Sequence, residues 1–281
     1  MTSPNHLIIK QPSPLFKKLA TIAQSCRADV VDMLTRVQSS HLGCCFSVID
    51  ILVVLYHHFI TIEHIKDQNP QRDIVILSKG HSATALYAVL ASVGLIPRTM
   101  LEQFHHGFLA GHPVRNLAYG IEASTGSLGH GLSLGVGLAR AAKDDQRSSK
   151  IYVIVGDGEC QEGALWEALT MASRFELNNL TVIVDRNNLQ GFDRVDVIDP
   201  CPLAAKFEAF GCTTMTVDGH DYDALIQGIA RCTQHTQPTV IIAQTVKGKG
   251  LPFIEDKLEW HYRSLKPEQY QLAQQILGSK Q

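Results

Sequence analysis

Between Phe16 and Val37 the apolar residues Leu19, Ile22, Ala23, Cys26, Val30, Met33 and Leu34 fall near every third or fourth position, with lysines and arginines between them. That period predicts an amphipathic helix. A second helix is predicted from Val48 to about Phe59, with Ser47 as its cap, followed by a polar linker to Arg72. The pattern then changes. Ile74-Val75-Ile76-Leu77 is a continuous apolar run, the mark of a short buried strand, and it leads through Ser78-Lys79-Gly80-His81 into a small-residue helix from Ala83 to Val93. The same strand, polar turn and helix recur from Ile151 to Val155, through Gly156-Asp157-Gly158, into a helix from about Gly163 to Phe175. Further strands are predicted at Leu180 to Val184 and at Val240 to Ala243. Buried β-branched strands separated by amphipathic helices predict an α/β fold, a doubly wound and mainly parallel sheet with helices on both faces. His105 to Thr125 and Arg186 to Pro202 break this alternation and are rich in glycine, asparagine, proline and histidine. Loops of that length in a compact domain usually carry function.

Composition narrows the possibilities. The 281 residues carry 25 basic and 27 acidic side chains. So balanced a charge offers no basic face for nucleic acid or an anionic membrane, and neither is expected as a partner. The longest apolar stretch, Ile51 to Tyr56 with Val48 and Ile49 ahead of Asp50, is well short of the roughly 20 residues that span a bilayer. Residues 1–14, with Pro4, Pro12 and Pro14, read as a loose arm without the apolar core of a secretory signal, and residues 15–281 as one domain of a cytoplasmic protein. The seven cysteines include no CxxC spacing and read as buried reduced thiols.

In an open parallel sheet, ligands bind beyond the carboxyl ends of the strands. Those positions are polar here. Gly156-Asp157-Gly158 follows one strand and Asp185-Arg186-Asn187-Asn188-Leu189 follows the next. The 30 residues between Asp157 and Asn187 (187 − 157) accommodate one helix and a return strand, so both oxygens would emerge at the same edge if the strands are neighbours. One carboxylate and one amide oxygen leave an octahedral magnesium shell to be completed by water and a diphosphate. Gly156 and Gly158 would let backbone N–H groups approach the phosphates, aided by the positive end of the following helix. Neither GxGxxG nor GxxxxGK[ST] occurs, so the usual dinucleotide and P-loop signatures are missing.

The GDG followed about thirty residues later by NN resembles the diphosphate motif of thiamine-diphosphate enzymes. Ser40-His41-Leu42-Gly43, Leu77-Ser78-Lys79-Gly80-His81-Ser82 with Leu86-Tyr87-Ala88, Gly111-His112-Pro113, Thr125-Gly126-Ser127-Leu128-Gly129-His130-Gly131, and Gly158-Glu159-Cys160-Gln161-Glu162-Gly163 with Trp166-Glu167-Ala168 resemble, in order, segments of the amino-terminal half of transketolases. The similarity runs from Phe16 to His261. It implies the thiamine-diphosphate-binding fold, with Asp157, Asn187 and the Leu189 carbonyl holding Mg2+, Ca2+ or Mn2+. It implies that His81, Gly158, Asn187 and His261 bind the cofactor's diphosphate end, and that Gly126 and Leu128 meet its aminopyrimidine. His41, His112 and His261 would serve the sugar hydroxyls and exchange protons during carbon–carbon cleavage, with Glu162 and Glu167 at a subunit contact. His130 would stand behind the cofactor contacts.

The carboxylate that activates the pyrimidine belongs, in transketolases, to a different domain. The resemblance therefore implies a split enzyme, with this chain as its amino-terminal subunit. A separate chain would supply that glutamate, and the two would form an α2β2 heterotetramer. The implied reaction moves a two-carbon ketol unit from a ketose to an aldose, with sugar phosphates as the expected substrates. The α subunit of a 2-oxo acid dehydrogenase and a transketolase-like enzyme with an unusual acceptor are the alternatives. Tyr262, Ser127 and Leu42 depart from the pattern, where glycine, proline and proline are the usual residues.

Overall fold

The computed structural model of the chain describes residues 13–232 and 235–278. The predicted arm lies outside the described residues up to residue 12. Ser13 and Pro14 belong to helix α1 (Pro14–Arg36), with the Ser13 hydroxyl accepting from the Phe16 N–H at 3.1 Å and Pro14 in the first turn.

Five strands form one all-parallel sheet: β1 (Ile74–Leu77), β2 (Ile151–Gly156), β3 (Leu180–Arg186), β4 (Thr213–Asp218) and β5 (Thr239–Gln244), in the spatial order β1-β2-β3-β5-β4. Successive strand residues point to opposite faces, and two apolar clusters show it. Val75, Leu77, Tyr152, Ile154, Ile183, Ile241 and Ala243 enter one cluster. Ile74, Ile76, Ile151, Val153, Val155, Leu180, Val182, Val184, Val240 and Ile242 enter the other. The first face is covered by α1, α2 (Leu42–Val54), α4 (Ala83–Ser92), α9 (Tyr222–Arg231) and α10 (Pro267–Leu277). The second is covered by α5 (His130–Asp144), α6 (Gly163–Arg174) and α8 (Leu203–Ala209). The doubly wound sheet is thus present as predicted.

Several details differ from the sequence expectations. The second helix begins at Leu42, not Val48. Ser47 lies inside it, and its hydroxyl donates to the Cys44 carbonyl and to Asp185. The helix continues through the wider turn Leu55–Phe59. The resulting 18-residue run, Leu42–Phe59, is long and apolar enough to cross a membrane, but 83% of it is buried inside the fold. Asp50, which interrupts the apolar run in the sequence, is sunk in this core and paired with Arg27 at 2.7 Å. Leu42–Phe59 is therefore the core helix of the sheet's first face. The linker before Arg72 holds a short helix α3 (Ile62–Lys66), and the Arg186 to Pro202 segment holds α7 (Val195–Ile198) and a bridge between Leu189 and Arg194.

Candidate active site

The carboxyl ends of β1, β2 and β3 open into a cleft of about 440 Å³. Its walls include His41, His81, His112, Gly126, Leu128, Asp157, Gly158, Glu162, Asn187, Leu189 and His261. Of the residues singled out from the sequence, Glu167 is outside this lining. It lies exposed on α6, while Glu162 precedes that helix at the rim. His130 is exposed at the start of α5, within hydrogen-bond distance of the Ser127 hydroxyl and the Leu128 carbonyl.

Parallel pairing of β2 with β3, Gly156 opposite Asp185, brings Asp157 and Asn187 to one edge. Asp157 is 3% exposed. One of its oxygens accepts from the Gly158 N–H at 2.9 Å, and the other from the Asn188 N–H. Asn188 takes a left-handed backbone (φ 61), which asparagine tolerates, and so turns its amide toward the carboxylate. The Asn187 side-chain oxygen accepts from the Leu189 N–H at 3.1 Å. Burial pushes the Asp157 carboxyl up to about 6, and the neighbouring Asp185 charge adds to that. A buried carboxylate that is hard to ionise alone is suited to a bound cation, and the Asp157 carboxylate, the Asn187 side-chain oxygen and the Leu189 carbonyl each retain a lone pair. No cluster of three or more His, Cys, Asp or Glu placed to hold a metal occurs among the described residues. A cation here would thus rest on one charged and two neutral oxygens, a donor set suited to magnesium sharing its shell with phosphate.

The backbone amides of the glycine turn are engaged differently from expectation. The Gly156 N–H donates to Glu159 at 3.0 Å, and the Gly158 N–H goes to Asp157. A tight turn, Gly158–Gln161, stands between the strand and α6. Buried Glu159 also accepts from the Ser78 hydroxyl and the Gly129 N–H, tying together three segments that border the cleft.

The imidazoles of His41, His81 and His261 form a triangle with ring centroids 5.2, 5.3 and 5.9 Å apart. His41 has a left-handed backbone (φ 74) at the start of α2, and its N–H donates to the His261 carbonyl at 3.1 Å. Such strain in a non-glycine residue concentrates at functional sites. His112 stands across the cleft against Gly126, its own carbonyl held by the Tyr87 hydroxyl at 3.1 Å. Burial, then the charges of His261, His112 and the nearby lysines, lowers His41 to about 4. Burial together with Lys247 and Lys79 does the same to His261. Both imidazoles are therefore neutral near pH 7, whereas the sequence reading placed their titration there.

Two lysines missed by the sequence reading supply positive charge. Lys79 and Lys247 are each 1% exposed. Lys79 pairs with the fully buried Asp185, which also accepts from Ser47 and Thr245, and donates to the Cys44 carbonyl at 3.1 Å. Lys247 donates to the Leu189 carbonyl at 3.0 Å and to His261 Nδ1 at 2.8 Å, which leaves the hydrogen of that neutral imidazole on Nε2. The available signal was position, since Lys247 follows β5 by three residues at the ligand-binding edge. Cys44 also lines the cleft, 3.8 Å from His261 Nδ1. Burial alone would raise its thiol, but Lys247, His81 and Lys79 hold it at about 7. Cys44 is buried as expected for the cysteines, whereas Cys201 is exposed.

Residues 19–281 match the family model described as transketolase, thiamine diphosphate binding domain. The chain is 41% identical over 237 residues to an apulose-4-phosphate transketolase subunit of Actinobacillus succinogenes, covering 83% of this chain and 86% of that one. It is 37% identical over 269 residues to the mouse transketolase, covering 92% of this chain but 41% of that protein. Among solved structures, the transketolase of Campylobacter jejuni superposes with a TM-score of 0.84 at 30% identity, over 93% of this chain and 43% of that one. The chain therefore spans nearly the whole of a subunit-sized relative and about two fifths of the longer ones.

Proposed function

The chain belongs to the transketolase thiamine-diphosphate-binding domain family, and from that premise we propose that it is the amino-terminal subunit of a split transketolase. In this reading it moves a two-carbon ketol unit from a ketose to an aldose and acts only with a separate chain, in an α2β2 assembly located in the cytoplasm. The single observation that carries the reading is the cleft itself, where the oxygen donors that follow β2 and β3, three imidazoles and two buried lysines come together.

Asp157, Asn187 and the Leu189 carbonyl would hold magnesium, and Lys247, His81, Gly158 and His261 would face the diphosphate. When bound, thiamine diphosphate supplies the nucleophilic carbon that accepts the ketol unit. The remaining work belongs to the chain. Neutral His41 can accept a proton from a sugar hydroxyl, His261 with its hydrogen on Nε2 can donate to a sugar oxygen, and His112 closes the opposite wall. Gly126 and Leu128 leave an open, partly apolar surface for a pyrimidine ring. Exposed Glu162 and Glu167 are assigned to the contact with the partner.

The name of the Actinobacillus relative favours the variant of this reading in which the acceptor is not a standard pentose phosphate. The test is reconstitution with the partner chain, magnesium and thiamine diphosphate. Ketol transfer from xylulose 5-phosphate, absent from either chain alone, is expected. Turnover of pyruvate in its place would instead assign the chain to a 2-oxo acid dehydrogenase.

A further inference from the structure

Tyr262 follows His261 at the end of the turn Leu258–His261 and is 65% exposed, yet it forms part of the cleft wall. Its ring centroid lies 4.6 Å from that of His261 and 6.4 Å from that of His41. The phenol end lies over Gly191. A Cβ added to that glycine would stand 2.5 Å from the phenolic oxygen, far inside van der Waals contact, so the missing side chain makes room for the tyrosine. Beside Gly191, Phe192 is 76% exposed and also lines the cleft. No hydrogen bond holds the Tyr262 hydroxyl among the described residues, and the ring is not packed into either apolar cluster. Neither folding nor internal pairing accounts for a large aromatic at this place. Polar binding sites use rigid aromatic walls of this kind to set the shape of what enters.

We propose that Tyr262 is a specificity-determining residue that narrows the approach to His41 and His261 and selects short aldehyde acceptors over longer aldose phosphates. The proposal rests on the ketol-transfer reading and deepens it. The ring acts by occupying space between the histidine pair and the loop Gln190 to Phe192, so the discrimination is steric and belongs to the ring rather than its hydroxyl. Gly191 is a positioning residue, because a methyl group there would drive the tyrosine out of its place.

The experiment uses the chain reassembled with its partner, magnesium and thiamine diphosphate, at saturating xylulose 5-phosphate. Acceptor kcat/KM is measured for glycolaldehyde and for ribose 5-phosphate. Tyr262→Gly is expected to raise the ribose 5-phosphate to glycolaldehyde ratio about tenfold, mainly through KM of the longer sugar, the scale on which pocket shape separates substrates. Tyr262→Phe is expected to retain the original preference, and Gly191→Ala to shift it. An unchanged ratio in Tyr262→Gly with an active parent enzyme overturns this inference alone, as does a Tyr262→Phe variant that behaves like the glycine variant. A parent complex that binds cofactor but transfers no ketol unit to either acceptor overturns both readings.

Discussion

The Lys79 ammonium is paired with the Asp185 carboxylate directly behind the cleft, with 2% and 0% of the two side chains exposed. Burial alone would lower Lys79 and raise Asp185. Their mutual attraction reverses both, so Lys79 is raised and Asp185 lowered, and each stays charged. Asp185→Leu would leave a buried ammonium without its counter-ion. A loss of about 3–5 kcal/mol is expected in denaturant unfolding, because the surviving charge keeps its desolvation penalty. Adding Lys79→Met to that variant should restore much of the loss, and failure to do so would show that the pair is not the source.

Asp157 gives a direct ligand test. Thiamine diphosphate with magnesium should raise the midpoint of thermal unfolding, since a ligand at a hundred times its Kd stabilises by about 2.7 kcal/mol. Asp157→Ala should abolish that rise while leaving the ligand-free protein folded. Removing magnesium with EDTA from the unsubstituted protein should abolish it too. A full thermal shift in Asp157→Ala would place the ligand elsewhere.

Lys247 separates the two ends of the cofactor. Lys247→Met is expected to weaken thiamine diphosphate at least tenfold, roughly what loss of one charge-assisted hydrogen bond costs. Unphosphorylated thiamine, measured by calorimetry, should be little affected. The same substitution removes one of the charges that lower His261. The imidazole should therefore titrate above its present value of about 4, which NMR of the ring protons would follow. An unmoved His261 would assign its depression to burial and Lys79.

Acid stability should depend on Asp50. Burial would raise this carboxyl, but the two-pronged contact with Arg27 and the bond from His220 outweigh it and hold it below the ordinary carboxylate range. Because the folded-state value is depressed, the stability it contributes is complete above the ordinary value of 3.8 and is lost as pH falls from there through the depressed one. Asp50→Asn should cost about 3–5 kcal/mol at pH 7, since Arg27 is left buried without its partner. It should also flatten the decline of the urea midpoint below about pH 4. A parallel decline in both proteins would assign acid sensitivity to other groups.

Most of the sheet was legible because β1, β2, β3 and β5 are covered on both faces and so read as unbroken apolar runs. Edge strand β4 was not. Thr213 and Thr214 are half-buried and Thr216 is exposed on a strand packed against α8 and α9, leaving no apolar run to detect. Helix α5 was hidden by its glycines, which are poor helix formers. Two of them are required by packing, since a Cβ at Gly131 would meet Ser78 at 2.3 Å and one at Gly135 would meet Val153 at 2.4 Å. Asp157, Asn187 and the histidines were legible through spacing and resemblance. Lys79, Asp185, Lys247 and Cys44 acquire their character from burial beside one another, which no local pattern encodes.

The hydrogen bond from the His41 amide to the His261 carbonyl joins segments 220 positions apart (261 − 41). A chain emerging from the ribosome can build helix α2 and several strands long before the Leu258–His261 turn exists, but it cannot yet close this wall. Competence to capture a vitamin is thereby deferred until that turn has been made. Truncated or stalled products should fold in part without sequestering a scarce coenzyme.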